Sequence, residues 1–237
     1  MKLSMTYRVR TRGFNHLFDE TVRLYRQAVS FFVDVCLTEW NLISTEKLQK
    51  ERVNLVESLT IQTKQNPVVS YDFSAEFYKF PSYLRRAAIA EALGKVSSYR
   101  SNLANWEAAD SAKRGEKPSL PQVGYVYPAM YRSGMFIRTG IYQAALKVFI
   151  RNTWDWVLVD LRKSDADYIL RHCKNYRECV PTLQKRGKKW FLDFVFQTAV
   201  KLPDTKIQHT RILAVDLGLN SACTCSIMTP EGAVLGR

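Results

Sequence analysis

The first forty residues, MKLSMTYRVRTRGFNHLFDETVRLYRQAVSFFVDVCLTEW (1–40), decide the fold, because the hydrophobic period changes inside them. Met1, Leu3, Met5, Tyr7 and Val9 alternate with Lys2, Ser4, Thr6, Arg8 and Arg10. That is the pattern of a half-buried strand with a cationic outer face. Gly13 closes it. From Phe14 the apolar residues recur every three or four positions: Phe18, Val22, Tyr25, Val29, Phe32, Cys36 and Trp40. Asp19, Arg23, Gln27, Ser30 and Asp34 lie opposite. The spacing predicts one long amphipathic helix whose aromatic stripe faces a core. A lone strand needs sheet partners, and the next strand-like segments come only after a helical block. The expectation is an α+β fold, a β-barrel-like domain interrupted by a helical insertion.

Further along, a second helix is predicted from Ser44 or Thr45 to about Gln65, stopping before Pro67. A third runs from Pro81-Ser82 to about Ala109, with Ala88, Ala92, Val96, Tyr99, Leu103 and Trp106 on one side. Gly94 inside it costs helix propensity and is expected to permit close packing. Arg85, Arg86, Lys95 and Arg100 read either as a solvated helix face or as phosphate contacts. The hydrophilic stretch SAKRGEKPSLP (111–121) reads as a linker. Beyond it, strands are predicted at 125–131, 135–138, 142–150 and 154–161. Ser164 opens a capping box for a short helix to about Asn175. Strands at 179–183 and 190–200 follow, joined by QKRGKK (184–189). That hairpin tip bears Lys185, Arg186, Lys188 and Lys189, which suit a solvated turn and a nucleic-acid backbone equally well.

The charge narrows the function classes. Lys and Arg number 35 against 22 Asp and Glu, a net charge of +13. A surplus of this size favours a polyanionic partner, most simply nucleic acid. The five cysteines (Cys36, Cys173, Cys179, Cys223, Cys225) form no disulfide framework, so a reduced, cytoplasmic setting is expected. Cys223 and Cys225 flank Thr224 on one strand and are expected to point into a core. His172, Cys173 and Cys179 have poor spacing for zinc. No stretch reaches membrane-spanning length and no signal segment is visible.

Near the end, Ile212-Leu213-Ala214-Val215 runs into Asp216, then Gly218 and Asn220. An apolar stretch from Ala222 to Met228 follows, then the turn Thr229-Pro230-Glu231-Gly232, then Ala233-Val234-Leu235. This reads as strand, acidic tip, strand, tight turn, strand. A carboxylate on a buried strand is costly unless a metal or donor satisfies it, which makes Asp216 a candidate site.

In this context the chain resembles the TnpB (OrfB) proteins of bacterial insertion sequences, relatives of the type V CRISPR effectors. The resemblance rests on Ile212–Asn220 with Ala222, which look like the first RuvC motif, and on the hairpin 183–200 before it. FPSYLRRA (80–87) and YPAMY (127–131) are also similar, though less specific. The resemblance implies a wedge-type β-barrel at 1–12 and 122–205, a helical recognition domain at 13–110 and a linker at 111–121. It implies the start of a ribonuclease-H-like RuvC nuclease at 210–237. Guide RNA and target DNA would be the partners, read by backbone shape and by base pairing. Lys2, Arg8, Arg10, Arg85, Arg86, Arg100, Lys185, Arg186, Lys188 and Lys189 would contact them.

Asp216 would be the first catalytic and metal ligand of a Mg²⁺-dependent site, which needs further carboxylates. Glu231 lies in the turn and cannot supply one. The chain stops at Arg237 before the family's later acidic motifs, so the expectation is a nuclease that is catalytically incomplete by itself. An incomplete gene or a gene model that ends early is expected over a half completed by another chain. Two alternatives remain: a non-catalytic RNA- or DNA-binding regulator on the same scaffold, and an actin-like or sugar-kinase-like phosphotransferase, whose sheets also open on an Asp-x-Gly tip.

Overall fold

A computed structural model describes residues 2–111, 114–131, 133–201, 211–216 and 223–236. The chain forms two compact units, Ser4–Thr198 and a smaller one made of Met1–Leu3 with Ala199–Arg237. The larger unit mixes helices with a curled antiparallel half-barrel.

The opening strand, β1 (Lys2–Arg12), buries Val9 and Thr11. Gly13 (φ 79°) and Phe14 (φ 55°) then turn the chain through two left-handed residues into α1 (Asn15–Thr38). The first of these conformations suits glycine. Phe18, Val22, Tyr25, Val29, Phe32 and Cys36 are buried along α1, so the aromatic stripe is core. A short α2 (Trp40–Ile43) ends where Ser44 and Thr45 turn their hydroxyls back to the carbonyls of Asn41 and Leu42. The next helix, α3 (Gln49–Thr60), is therefore shorter than the predicted 44–65. At its far end Ile61 is extended. Asp72 caps α4 (Phe73–Glu76) by accepting from the Ser74 and Ala75 N–H groups.

The long α5 (Ser82–Ala108) packs on α1 through Leu84, Ala88, Ala92 and Val96. Small residues there let the two helices approach. Tyr99, Leu103 and Trp106 are only partly buried, so the buried stripe ends at Val96. Gly94 is a correction: it is exposed, and a Cβ there would meet nothing within 4 Å among the described residues.

The strands are β2 (Phe136–Arg138), β3 (Gln143–Ile150), β4 (Thr153–Leu161), β5 (Arg177–Glu178), β6 (Thr182–Arg186) and β7 (Lys189–Ala199). With β1 they make one sheet in the order β2-β3-β4-β1-β7-β5, with β6 also on β7. The first strand thus sits mid-sheet, as its isolation in the sequence required. Along β7, Trp190, Leu192, Phe194 and Phe196 are all buried. An aromatic chain joins helices to sheet: Phe32 stacks on Phe73, Phe73 meets Phe80, and Phe80 meets Trp154 on β4 at 5.1 Å.

Two predicted elements are absent. Residues 125–131 make only the bridge Ala129↔Thr182, because Pro128 and Pro181 cannot donate to a ladder. Of the predicted strand 179–183, only Thr182 and Leu183 are in a strand, at the start of β6 after Pro181. The expected capping box does not form either. The helix α6 (Lys163–His172) starts from Arg162 without a side-chain cap, and Asp167, the carboxylate that would have closed the box, accepts from the Tyr142 hydroxyl at 2.8 Å; Asp165 accepts from the Arg10 N–H of β1 at 3.0 Å.

The smaller unit contains an antiparallel meander of β8 (Ile212–Asp216), β9 (Thr224–Met228) and β10 (Val234–Gly236), in the order β10-β9-β8. Its β9–β10 turn closes on Thr229, with Gly232 at φ 92°. Cys223 and Cys225 are exposed rather than core-facing. Cys36, by contrast, is buried against α1's neighbours, and burial pushes its thiol up to about 12.

Two expectations follow. Gly94→Ala should raise stability by about 1 kcal/mol in urea unfolding, since the helix gains propensity at no steric cost; an unchanged midpoint would mean the glycine is needed. A thiol-reactive dye at neutral pH should label Cys223 and Cys225 quickly and reach Cys36 only on unfolding. Early labelling of Cys36, located by peptide mapping, would contradict the packing of α1.

Candidate nucleic-acid interface

Ten cations stand out in the sequence, and the fold sorts them by what neutralises each one. Arg8 is structural. Its guanidinium grips Asp193 on β7 in a bidentate pair, Nε to Oδ1 at 2.7 Å and Nη2 to Oδ2 at 2.6 Å. It also donates to Gln184 and lies over the Phe191 ring. Asp193 is only 6 % exposed, so the pair holds β1 to β7 more than it faces solvent. The hydrogen bond to Asp193 raises the Arg8 pKa further.

Arg100 is also used internally, donating from Nη2 to the Leu37 carbonyl at the end of α1. Arg85 and Arg86 converge on one carboxylate, Glu57 of α3, at 3.0 and 3.3 Å. Arg86 also reaches Asn54. Two guanidiniums on one carboxylate leave a surplus charge at the α3–α5 surface. Arg10 is half-buried, with its backbone N–H on Asp165; Lys2 is exposed at the start of β1.

The β6–β7 hairpin differs from its expected form. Lys185 lies within β6, where it pairs with Asp19 of α1 and covers the Trp190 ring. Its charge is already met. Arg186, Lys188 and Lys189 are exposed and have no ion pair among the described residues. Gly187, at φ 55°, and Lys188 form a two-residue turn that sets Arg186 directly opposite Lys189. Like charges facing across a ladder are destabilising, so this tip holds unbalanced positive charge.

A second tip escaped the sequence reading. Arg151 and Asn152, between β3 and β4, both take left-handed backbone (φ 46° and 63°). An Asn in the short gap 151–153 between two strand-like runs was the signal that could have found it. Arg151 is exposed there.

Asp216 ends β8 opposite Thr224, and it is exposed, not buried as the strand reading implied. The remainder of its motif, 217–222 with Gly218, Asn220 and Ala222, lies outside the described residues. Glu231 sits in the turn beyond Met228, at the other end of β9. A hydrogen bond from the Thr229 hydroxyl lowers its pKa. Among the described residues no three His, Cys, Asp or Glu side chains gather to hold a metal ion. A Mg²⁺ pair needs several carboxylates, and this arrangement does not fit it. His172 stacks on Tyr168 and shares a hydrogen bond with its carbonyl oxygen, while Cys173 is buried. Among the described residues, no helix is long and apolar enough to cross a membrane.

The Arg8 assignment is testable. Asp193→Ala should destabilise the chain by about 2–3 kcal/mol by leaving Arg8 without its buried partner. The double change R8M with D193L should recover part of that loss. A double variant no better than the single one would mean that the pair is not the source.

Against known proteins, the model of the Aq_aa04 family matches residues 4–150, from β1 to the end of β3. The chain is 31% identical over 133 residues to an uncharacterized protein, aq_aa04, of Aquifex aeolicus (strain VF5). That match covers 51% of this chain and 74% of the Aquifex protein.

Proposed function

The chain belongs to the Aq_aa04 family, and from its charge and its sequence resemblance to TnpB proteins we propose that it is a nucleic-acid-binding protein of TnpB-like type. In this reading the larger unit grips the backbone of a structured RNA, or of an RNA–DNA duplex, through cations on its hairpin tips and on the α3–α5 surface. The observation that carries it is the Arg186–Lys188–Lys189 tip: three exposed cations, two of them in register, with no counter-ion among the described residues. An arrangement that repels itself in the free protein gains most when a phosphate arrives. The net charge of +13 supports the same partner class.

Binding, rather than cleavage, is the activity proposed for these residues. Asp216 keeps its place as the candidate first ligand of a RuvC-type site by sequence resemblance. Its exposed position and the lack of companion carboxylates among the described residues favour the regulator-like reading, binding without cutting.

Affinity for a structured RNA should fall linearly on a log–log plot against salt. Replacing Arg186, Lys188 and Lys189 together by Gln should reduce that slope by about 2 to 3, roughly one for each phosphate no longer neutralised. Lys185→Gln should leave the slope alone and lower stability instead, because Asp19 loses its partner. Filter-binding titrations at several salt concentrations, with a urea melt of each variant, measure both. An unchanged slope in the triple variant would make the tip a solvated turn, and the proposal would fail there.

A further inference from the structure

The two free edges of the half-barrel, β2 and β5, stand at opposite ends of the strand order. No ladder joins them among the described residues. Side chains do: Arg138 of β2 reaches Glu178 of β5, Nη2 to Oε2 at 2.8 Å and Nε to Oε2 at 3.0 Å. The Arg138 guanidinium rests 4.7 Å from the Phe194 ring centroid. Beside this seam lies a cavity of about 530 Å³. Val9, Leu161, Ile169 and Phe196 line it, from β1, β4, α6 and β7. Short side chains on α6 itself and at its C-terminal cap, Ala166 and Cys173, help leave this space open. Its volume falls within the range of small-molecule sites.

The mouth has its own chemistry. Ile141 and Leu170 border the cavity yet are 51% and 46% exposed, so the apolar lining continues outward into solvent. Beside them, Lys174 is exposed and has no ion pair among the described residues. Glu178 already offsets the charge of Arg138, so Lys174 leaves the rim with one positive charge in excess. An apolar chamber, exposed aliphatics at its lip and one uncompensated ammonium together define an amphipathic ligand.

We infer that the half-barrel cavity between α6 and the β2–β5 seam is a binding site for a small amphipathic carboxylate, with its hydrocarbon body on Val9, Leu161, Ile169 and Phe196 and its carboxylate at Lys174. The site shares no residue with the Arg186 tip, so it stands or falls apart from the nucleic-acid reading. Burying the hydrocarbon removes apolar surface from water on both sides and fills space whose lining atoms otherwise lack contacts.

The test titrates the full chain calorimetrically with decanoate, with decyltrimethylammonium and with decanol, each below its aggregation concentration. Saturable one-to-one binding of decanoate is expected, with the cation at least about threefold weaker. Lys174→Glu should weaken decanoate by about three- to tenfold and leave decanol unchanged. Leu170→Glu, at an exposed position, should keep the melting temperature and weaken all three. Ala166→Leu, which fills the chamber, should abolish binding where its melt shows a folded chain. Absence of saturable decanoate binding would overturn the site, as would affinity untouched by Leu170→Glu. Equal affinity for anion and cation, or a decanoate affinity untouched by Lys174→Glu, would overturn the assignment of its head group.

Discussion

The larger unit depends on one long-range union: a strand at the start of the chain placed between strands that arrive late. Arg8 and Asp193, 185 positions apart, supply the polar half of that union, and the buried Val9 of β1 supplies the apolar half. The charges are close to fully satisfied, which is what makes a largely buried carboxylate tolerable in a sheet. Until β7 exists, β1 has only part of its ladder. A fold whose central strand waits for its neighbours in this way closes large loops before it gains contacts, and such folds form slowly.

Much of this architecture was legible in the chain, and the parts that were not share a cause. β1, α1, α5 and β7 are long and strictly periodic, so burial on one face dictates them almost alone. Residues 125–131 look equally strand-like by composition, yet Pro128 removes a donor and leaves a single bridge. The Ser164 capping box failed because the helix starts before Ser164, at Lys163, and Asp167, which would have closed the box, accepts from the Tyr142 hydroxyl instead. Gly94 and the Cys223–Cys225 pair were misjudged for a different reason. Their environments depend on what packs opposite, and one sequence does not print its own second layer.

The candidate interface shows the same limit from the side of charge. Arg8, Lys185 and Arg186 are alike as letters. Only the fold reveals that the first is held by Asp193, the second by Asp19 and Trp190, and the third by nothing among the described residues. Net charge selects a class of partner, but it is neutralisation residue by residue that separates cations of the scaffold from cations open to a ligand. Arg151 makes the complementary point: its left-handed backbone falls in the short Asn-containing gap between two strand-like runs, where attention to the strands alone passed over it.

The Arg138–Glu178 bridge has a mechanical meaning. A barrel closed by a ladder opens only if many backbone bonds break together, whereas across this seam the described contacts are between side chains: the Arg138–Glu178 pair, with Phe136 and Arg138 against Phe194 of β7 beside it. Ionic strength thus acts on the seam and hardly at all on the ladders around it. The two sides of the shell thus answer to different conditions: the seam to salt through its ion pair, and β3, β4, β1 and β7 to whatever breaks backbone ladders.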